Sequence, residues 1–214
     1  MNFFRVVFSL VASMLLLALS ATAQTETDWQ LAREADGIQI YTRHKENSPF
    51  DEFKAVSIFK AARAEAVFKV LTNIELLAKS DNTIKSIKML KADSTENEYF
   101  VYYQMNTPFF VKDRDVIYCF RPRTTSRGYF IESVSLPNYL AVESSYVRMG
   151  EGRLLQAIRQ LDNGDVEYIF SGQISPGGSI PESVVNKTMV SSSYDRMVFI
   201  RKILAEQLNV SQGK

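Results

Sequence analysis

Pro176-Gly177-Gly178-Ser179-Ile180-Pro181-Glu182-Ser183-Val184-Val185-Asn186 is the stretch that decides the fold. Its glycines stop a preceding strand, Ser179 or Ser183 supplies a helix cap, and Pro181 suits a first helical turn, where a missing N–H costs nothing. After Pro181 no Gly or Pro occurs up to Gln207. Val185, Met189, Met197, Ile200 and Leu204 recur by steps of three, four or eight, so the spacing predicts one long helix with a single apolar face. Such a helix needs a surface to lie on, and the strand-rich region before it is the only large one.

Upstream, residues 84–90, 99–105, 115–121, 129–136, 142–149, 154–161 and 166–173 all read as strands. Turn formers divide them: Thr95-Glu96-Asn97, Ser126-Arg127-Gly128, Gly150-Glu151-Gly152 and Asp162-Asn163-Gly164-Asp165. Connections this short make consecutive strands antiparallel neighbours. Further upstream the period becomes helical, with Ala66, Val67, Val70 and Leu71 on one face and Leu76-Leu77 in a second short helix before Asp81-Asn82. Residues 38–41 and 52–60 alternate as strands, Asp36-Gly37 forms a turn, and 29–35 reads as a helical lead-in. The expected order is two strands, helices, a long meander and a closing helix, an α+β domain with no linker or repeat to divide it.

The chain starts with one positive charge at Arg5, an apolar run from Val6 to Leu19, and Ala21-Thr22-Ala23. These are the three parts of a secretory signal, so residues 1–23 are expected to be removed and 24–214 to form the exported domain, in the periplasm or outside the cell. The alternative, a retained anchor, meets a run shorter than the roughly 20 apolar residues that span a bilayer. Of the 25 basic and 24 acidic residues only Arg5 lies in that segment, so the remainder is formally neutral and offers nothing to a nucleic acid. The single cysteine, Cys119, cannot form an internal disulfide; pairing between chains is open to it, but its place in an apolar strand-like run predicts a buried, inert thiol.

Taken in order, several segments resemble the START domains, the steroidogenic-acute-regulatory-related lipid transfer family within the Bet v 1-like superfamily. They are Trp29-Gln30-Leu31 followed by Asp36-Gly37-Ile38-Gln39-Ile40-Tyr41, then Lys112-Asp113-Arg114-Asp115, then Tyr146-Val147-Arg148, and finally Gly177 to Asn186. The resemblance covers nearly all of residues 24–214. It implies the helix-grip fold, a curved antiparallel sheet wrapped around a long C-terminal α-helix, and a tunnel holding one lipid or other hydrophobic small molecule. It also implies transient membrane contact, with a monomer expected and no cofactor or metal. Some sterol-binding members carry an Arg six positions past the Arg of the R-D pair. Here that position is Phe120, beside Tyr102-Tyr103-Gln104, which favours a less polar ligand or one held by Tyr and Gln.

Strand alternation assigns the tunnel wall. With Asp115 and Arg121 facing solvent, Val116, Tyr118 and Phe120 face inward. With Glu132 outward, Tyr129, Ile131 and Ser133 face inward, and Glu167 does the same for Val166, Tyr168 and Phe170. The expected ligand contacts are Tyr102, Gln104, Val116, Tyr118, Phe120, Tyr129, Ile131, Arg148, Tyr168 and Phe170 from the sheet, with Val185, Met189, Ser193 and Met197 from the helix. Periodicity alone equally describes a solid core, and the resemblance is what turns the stripe into a wall. Arg114 and Arg148 read either as ligand anchors or as ion-pair partners of Asp113, Asp115 or Glu143. The loop Asn106-Thr107-Pro108-Phe109-Phe110 reads as a lid or membrane-touching tip, or as a loop folded onto the core, and Pro176 to Ser183 as a hinge.

Enzymatic readings find little support. The only histidine, His44, falls at a solvated strand end, and one His and one Cys cannot furnish the usual zinc ligands. No G-x-S-x-G elbow and no phosphate-cradling glycine loop occurs. Cyclases and aromatases of the broader fold leave one alternative, an enzyme acting on a hydrophobic substrate, which requires a polar pair such as Tyr118 with Arg148 facing the cavity.

Overall fold

The computed structural model describes residues 28–81, 83–107 and 111–212. The signal-like segment and Phe109-Phe110 lie outside the described residues. Asp36 and Gly37 both take positive φ, 53° and 68°, the pair of angles that a two-residue type I′ hairpin needs. They join β1 (Gln30–Ala35) to β2 (Ile38–Lys45), with Ala35 opposite Ile38. The helical lead-in expected over 29–35 is therefore a strand. The hairpin turn carries the twist of paired strands, and pairing overrides a weak local helical pattern.

β3 (Ser48–Phe59) continues the sheet antiparallel to β2. The chain then leaves it for α1 (Ala64–Thr72) and α2 (Ile74–Leu77), as the spacing predicts. Ala64, Val67, Val70 and Leu71 are the buried face of α1, and the Asn73 side chain caps α2 by accepting from the Leu76 amide at 3.1 Å. The meander follows as β4 (Ile84–Asp93), β5 (Glu98–Met105), β6 (Arg114–Thr125), β7 (Gly128–Ser135), β8 (Val147–Arg148), β9 (Gly152–Gln160) and β10 (Val166–Ile174). Spatial order is β1-β2-β3-β10-β9-β7-β6-β5-β4, antiparallel along this path. β10 closes onto β3, with Val166 opposite Phe59, so the third and last strands are neighbours inside one curved sheet.

The strand expected over 142–149 shrinks to β8, which lies parallel to β6 with Asp115 opposite Arg148. Residues 136–146 instead fold around the Arg148 guanidinium, whose Nη1 donates to the carbonyls of Pro137 and Leu140 at 2.8 and 3.0 Å. Those carbonyls are satisfied by a side chain, so no ladder is needed. This segment covers the outer face of β6, where Ile117 and Cys119 are buried and the Phe100 and Tyr139 rings stack at 5.1 Å. Burial also pushes the Cys119 thiol up from its usual range, which keeps it protonated near neutrality.

α3 (Glu182–Gln212) lies over β2 and β3 and touches α1. Met189, Ser193, Met197, Ile200 and Leu204 form its buried stripe, close to the expected face. The ends of the helix are tied to the first strands. Near its start the Asn186 side chain accepts from the Asp51 amide at 3.2 Å; further along, Tyr194 donates to the Asp36 carboxylate, and Arg201 donates to the Asp36 carbonyl at 2.7 Å and to Ser57 at 2.9 Å. The apolar interior has two parts. One joins α1, α3 and β1 to β3 with β10 around Phe53, Tyr168 and Met197, and the other gathers Val101, Tyr103, Val116, Tyr118 and Met149.

Candidate functional site

Between those two apolar clusters lies a chamber of about 160 Å³. Its sheet side consists of Tyr103 and Met105 from β5, Val116, Tyr118 and Phe120 from β6, Ser133 from β7, Leu154 and Gln156 from β9, and Phe170 and Ile174 from β10. α3 roofs it with Met189, Ser192, Ser193 and Arg196. The small side chains of Ser192 and Ser193 stand over this space. A hollow of about 520 Å³ adjoins the chamber under α1 and α2, walled by Phe68, Leu71, Ile74, Val101 and Ile131. Leu77, Tyr103 and Phe120 border both spaces and form the partition between them. A depression of about 770 Å³ on the other face of the sheet is bounded by Lys45, Glu52 and Arg153 and has no helix above it.

Of the residues expected at the ligand, Val116, Tyr118, Phe120, Phe170, Met189 and Ser193 meet at the chamber, and Ile131 lines the adjoining hollow. Tyr129, Tyr168, Val185 and Met197 face inward but are spent on core packing. Tyr129 stacks on Phe68 at 4.3 Å, Tyr168 stacks on Phe59 at 5.9 Å, Met197 is 0% exposed, and Val185 packs against the same cluster. Tyr102, Gln104 and Arg148 point the other way. Tyr102 donates to Asp115 at 3.0 Å, Gln104 accepts from Ser86 at 2.7 Å, and Arg148 grips both Asp115 carboxylate oxygens at 2.9 and 2.8 Å. Asp115 does lie on the outer face as expected, yet it is buried rather than solvated, because residues 136–148 fold over it. Arg148 is thus the ion-pair partner of Asp115 and no ligand anchor. The pair that an enzymatic reading requires, Tyr118 with Arg148, is split across the sheet.

Among the described residues Arg114, unlike Arg148, makes no ion-pair contact with a carboxylate. Its guanidinium donates to the carbonyls of Lys112, Pro176 at 3.3 Å and Gly177 at 3.0 Å, tying the start of β6 to the Gly177-Gly178 bend. Gly177 and Gly178 sit at φ of 66° and 60°, and a Cβ on Gly177 would meet the Arg148 carbonyl oxygen at 2.3 Å, so only glycine fits.

Alternation could have found Tyr103 and Met105: with Gln104 outward, Val101, Tyr103 and Met105 must face inward. Helical spacing could likewise have placed Arg196, three residues beyond Ser193 and seven beyond Met189. Gln156 accepts from the Tyr168 hydroxyl at 2.8 Å and from Arg196 Nη2 at 3.1 Å. The Tyr103 and Tyr118 rings meet edge to face at 5.9 Å. Among the described residues neither hydroxyl has a hydrogen-bond partner.

Burial pushes the Tyr103 and Tyr118 phenols well above their ordinary value, in Tyr103 against an opposing pull from Arg196. A group whose folded pKa is raised stabilises the fold below its unfolded pKa and loses that contribution above it. Stability is therefore expected to hold up to about pH 10 and then fall, each buried phenol steepening the slope by about 1.4 kcal/mol per pH unit. Urea unfolding of wild type and Tyr103→Phe across that range checks this. The variant should show a shallower alkaline decline, and equal slopes would contradict the burial.

No family model matches the chain. A crystal structure of a STAR-related lipid transfer protein from Xanthomonas axonopodis superposes with a TM-score of 0.72 at 29% identity, covering 83% of this chain and 99% of that one. The phosphatidylcholine transfer protein of Rattus norvegicus is 25% identical over 175 residues, 78% of this chain and 79% of its own length. Human STARD10 superposes with a TM-score of 0.73 at 21% identity over 92% of this chain and 81% of its own. The chain has the fold of the START domains. Its ten-stranded sheet and closing helix are the helix-grip architecture. A more distant fold likeness is to the Zhui aromatase/cyclase from Streptomyces, with a TM-score of 0.53 at 11% identity over 73% of this chain and 95% of that chain. Phe120, six positions past Arg114, borders the chamber.

Proposed function

We propose that this protein binds one lipid or other hydrophobic small molecule beneath α3 and carries it between membranes as an exported monomer. The observation that carries this reading is the chamber itself: the inward stripe that could have been a solid core leaves an apolar space with a few polar groups, the composition of a ligand site. The lipid transfer proteins similar to this chain support it. Burying each 100 Å² of apolar ligand surface favours uptake by about 2.5 kcal/mol.

The export part of this proposal, and with it carrier action outside the cytoplasm, rests on the signal-like sequence of residues 1–23. An acid–base enzyme is a poorer match. The chamber phenols are held neutral far above physiological pH, where they donate hydrogen bonds but make weak bases. His44 is exposed, beside Asp51, and outside the chamber lining.

Native mass spectrometry of the mature protein after incubation with mixed-lipid vesicles tests the reading. One lipid per chain is expected, together with movement of labelled lipid from donor to acceptor vesicles. Protein that emerges without lipid and moves none would contradict it.

A further inference from the structure

The chamber has a surplus of hydrogen-bond donors. Arg196 reaches it from α3 with a guanidinium that is always charged, stacked 4.8 Å from the Phe170 ring, and no carboxylate among the described residues lies within ion-pair distance. Its Nη2 donates to Gln156 Oε1, but that oxygen already accepts from Tyr168. Its Nε is shut off from solvent and has no acceptor. Ser133, 0% exposed on the facing strand, has a hydroxyl oxygen with no partner either, and the Tyr103 and Tyr118 hydroxyls stand on the same wall. Among the described residues Asp81 is the only carboxylate in the lining, and its Oδ1 accepts from the Thr83 amide at 2.8 Å and hydroxyl at 2.7 Å.

A cation and an orphaned hydroxyl in an apolar chamber are costly until something supplies negative charge and acceptor oxygens. The geometry points to an acidic amphiphile as the ligand, an apolar chain ending in a carboxylate or phosphate. Its head sits against Arg196 and Ser133 under α3, and its tail passes Leu77, Tyr103 and Phe120 into the larger hollow. This rests on the carrier reading and adds to it a ligand class and a direction of binding. A neutral head of the same length fits the space but leaves the guanidinium without a counter-charge.

The test compares oleate, monooleoyl lysophosphatidate, oleyl alcohol and inorganic phosphate, by native mass spectrometry and by displacement of a fluorescent fatty acid near pH 8. Wild type should take the two acids at least about 10-fold more tightly than the alcohol. Arg196→Gln should bring acid and alcohol within about 2-fold of each other, and Arg196→Lys should keep part of the preference. Inorganic phosphate alone should displace nothing. Equal affinity of wild type for acid and alcohol, or a preference that survives Arg196→Gln, would overturn the assignment, as would displacement by free phosphate, which would mark a site for a small anion. Should Arg196→Gln not fold, Ser133→Ala and the wild-type acid-to-alcohol ratio still decide. Failure to bind even the alcohol strikes the carrier reading itself and is thereby distinguishable.

Discussion

Replacing Asp115 by Ala is expected to destabilise the fold by about 3–5 kcal/mol, the range for breaking a buried ion pair from one side. The carboxylate is 0% exposed and accepts from Arg148 Nε and Nη2 and from the Tyr102 hydroxyl. Without it the Arg148 side chain, only 7% exposed, keeps its charge but has just the backbone carbonyls of residues 137–141 for company. The cost is the stranded cation, so removing both partners should cost less than the two single losses added. Urea unfolding of Asp115→Ala, Arg148→Met and the double variant measures this coupling. A loss under about 1 kcal/mol for Asp115→Ala would mean that the pair behaves like a surface contact. Because the pair lies on the outer face, lipid affinity of the folded fraction should be unchanged, which separates a structural Arg148 from a ligand-binding one.

Ser193→Trp is the change expected to cost the most function. Ser193 is 2% exposed and its small side chain helps to leave the chamber open beneath α3. An indole there occupies the chamber, and lipid affinity should fall by at least about 100-fold, near 2.7 kcal/mol. Met197→Trp, four residues along the same stripe, should behave differently. Met197 is 0% exposed in the solid cluster with Tyr168 and Ile200, so overpacking should cost about 1–3 kcal/mol of stability and leave the chamber empty. Thermal unfolding and vesicle extraction of both variants separate the two outcomes. Undiminished uptake by a folded Ser193→Trp would show that ligand does not lie beneath that serine.

The contrast between these two positions shows how far periodicity reaches. Helical spacing put Met189, Ser193 and Met197 on one face correctly, but a face is not a depth. Which of them meets a void depends on where β2 and β3 approach α3 and where β5 to β7 fall away from it, and that curvature is written in no single segment. Strand parity likewise set Val116, Tyr118 and Phe120 inward on β6 from the charges at Asp115 and Arg121. It misdescribed Asp115 because alternation reports the side of a sheet and not what covers that side.

The missing strand over 142–149 and the buried Asp115–Arg148 pair are one event. A guanidinium collecting carbonyls from residues 137–141 leaves no mark in hydropathy. The lead-in at 29–35 was misread for a local reason, since the type I′ geometry at Asp36-Gly37 was available from the dipeptide itself and makes residues on both sides strands. Arg196 was legible by spacing, yet charge on a helix is ordinarily read as a solvated face, and only the chamber reveals that this one has no counter-charge.

A crystal of the mature protein grown with a dibrominated fatty acid tests the hollow interior most directly, through anomalous scattering from bromine. The account predicts bromine peaks inside the sheet, beyond Leu77, Tyr103 and Phe120 from α3, with the carboxylate at Arg196. Bromine only on the outer face, or an interior closed by the protein's own side chains in crystals that contain the lipid elsewhere, would contradict it.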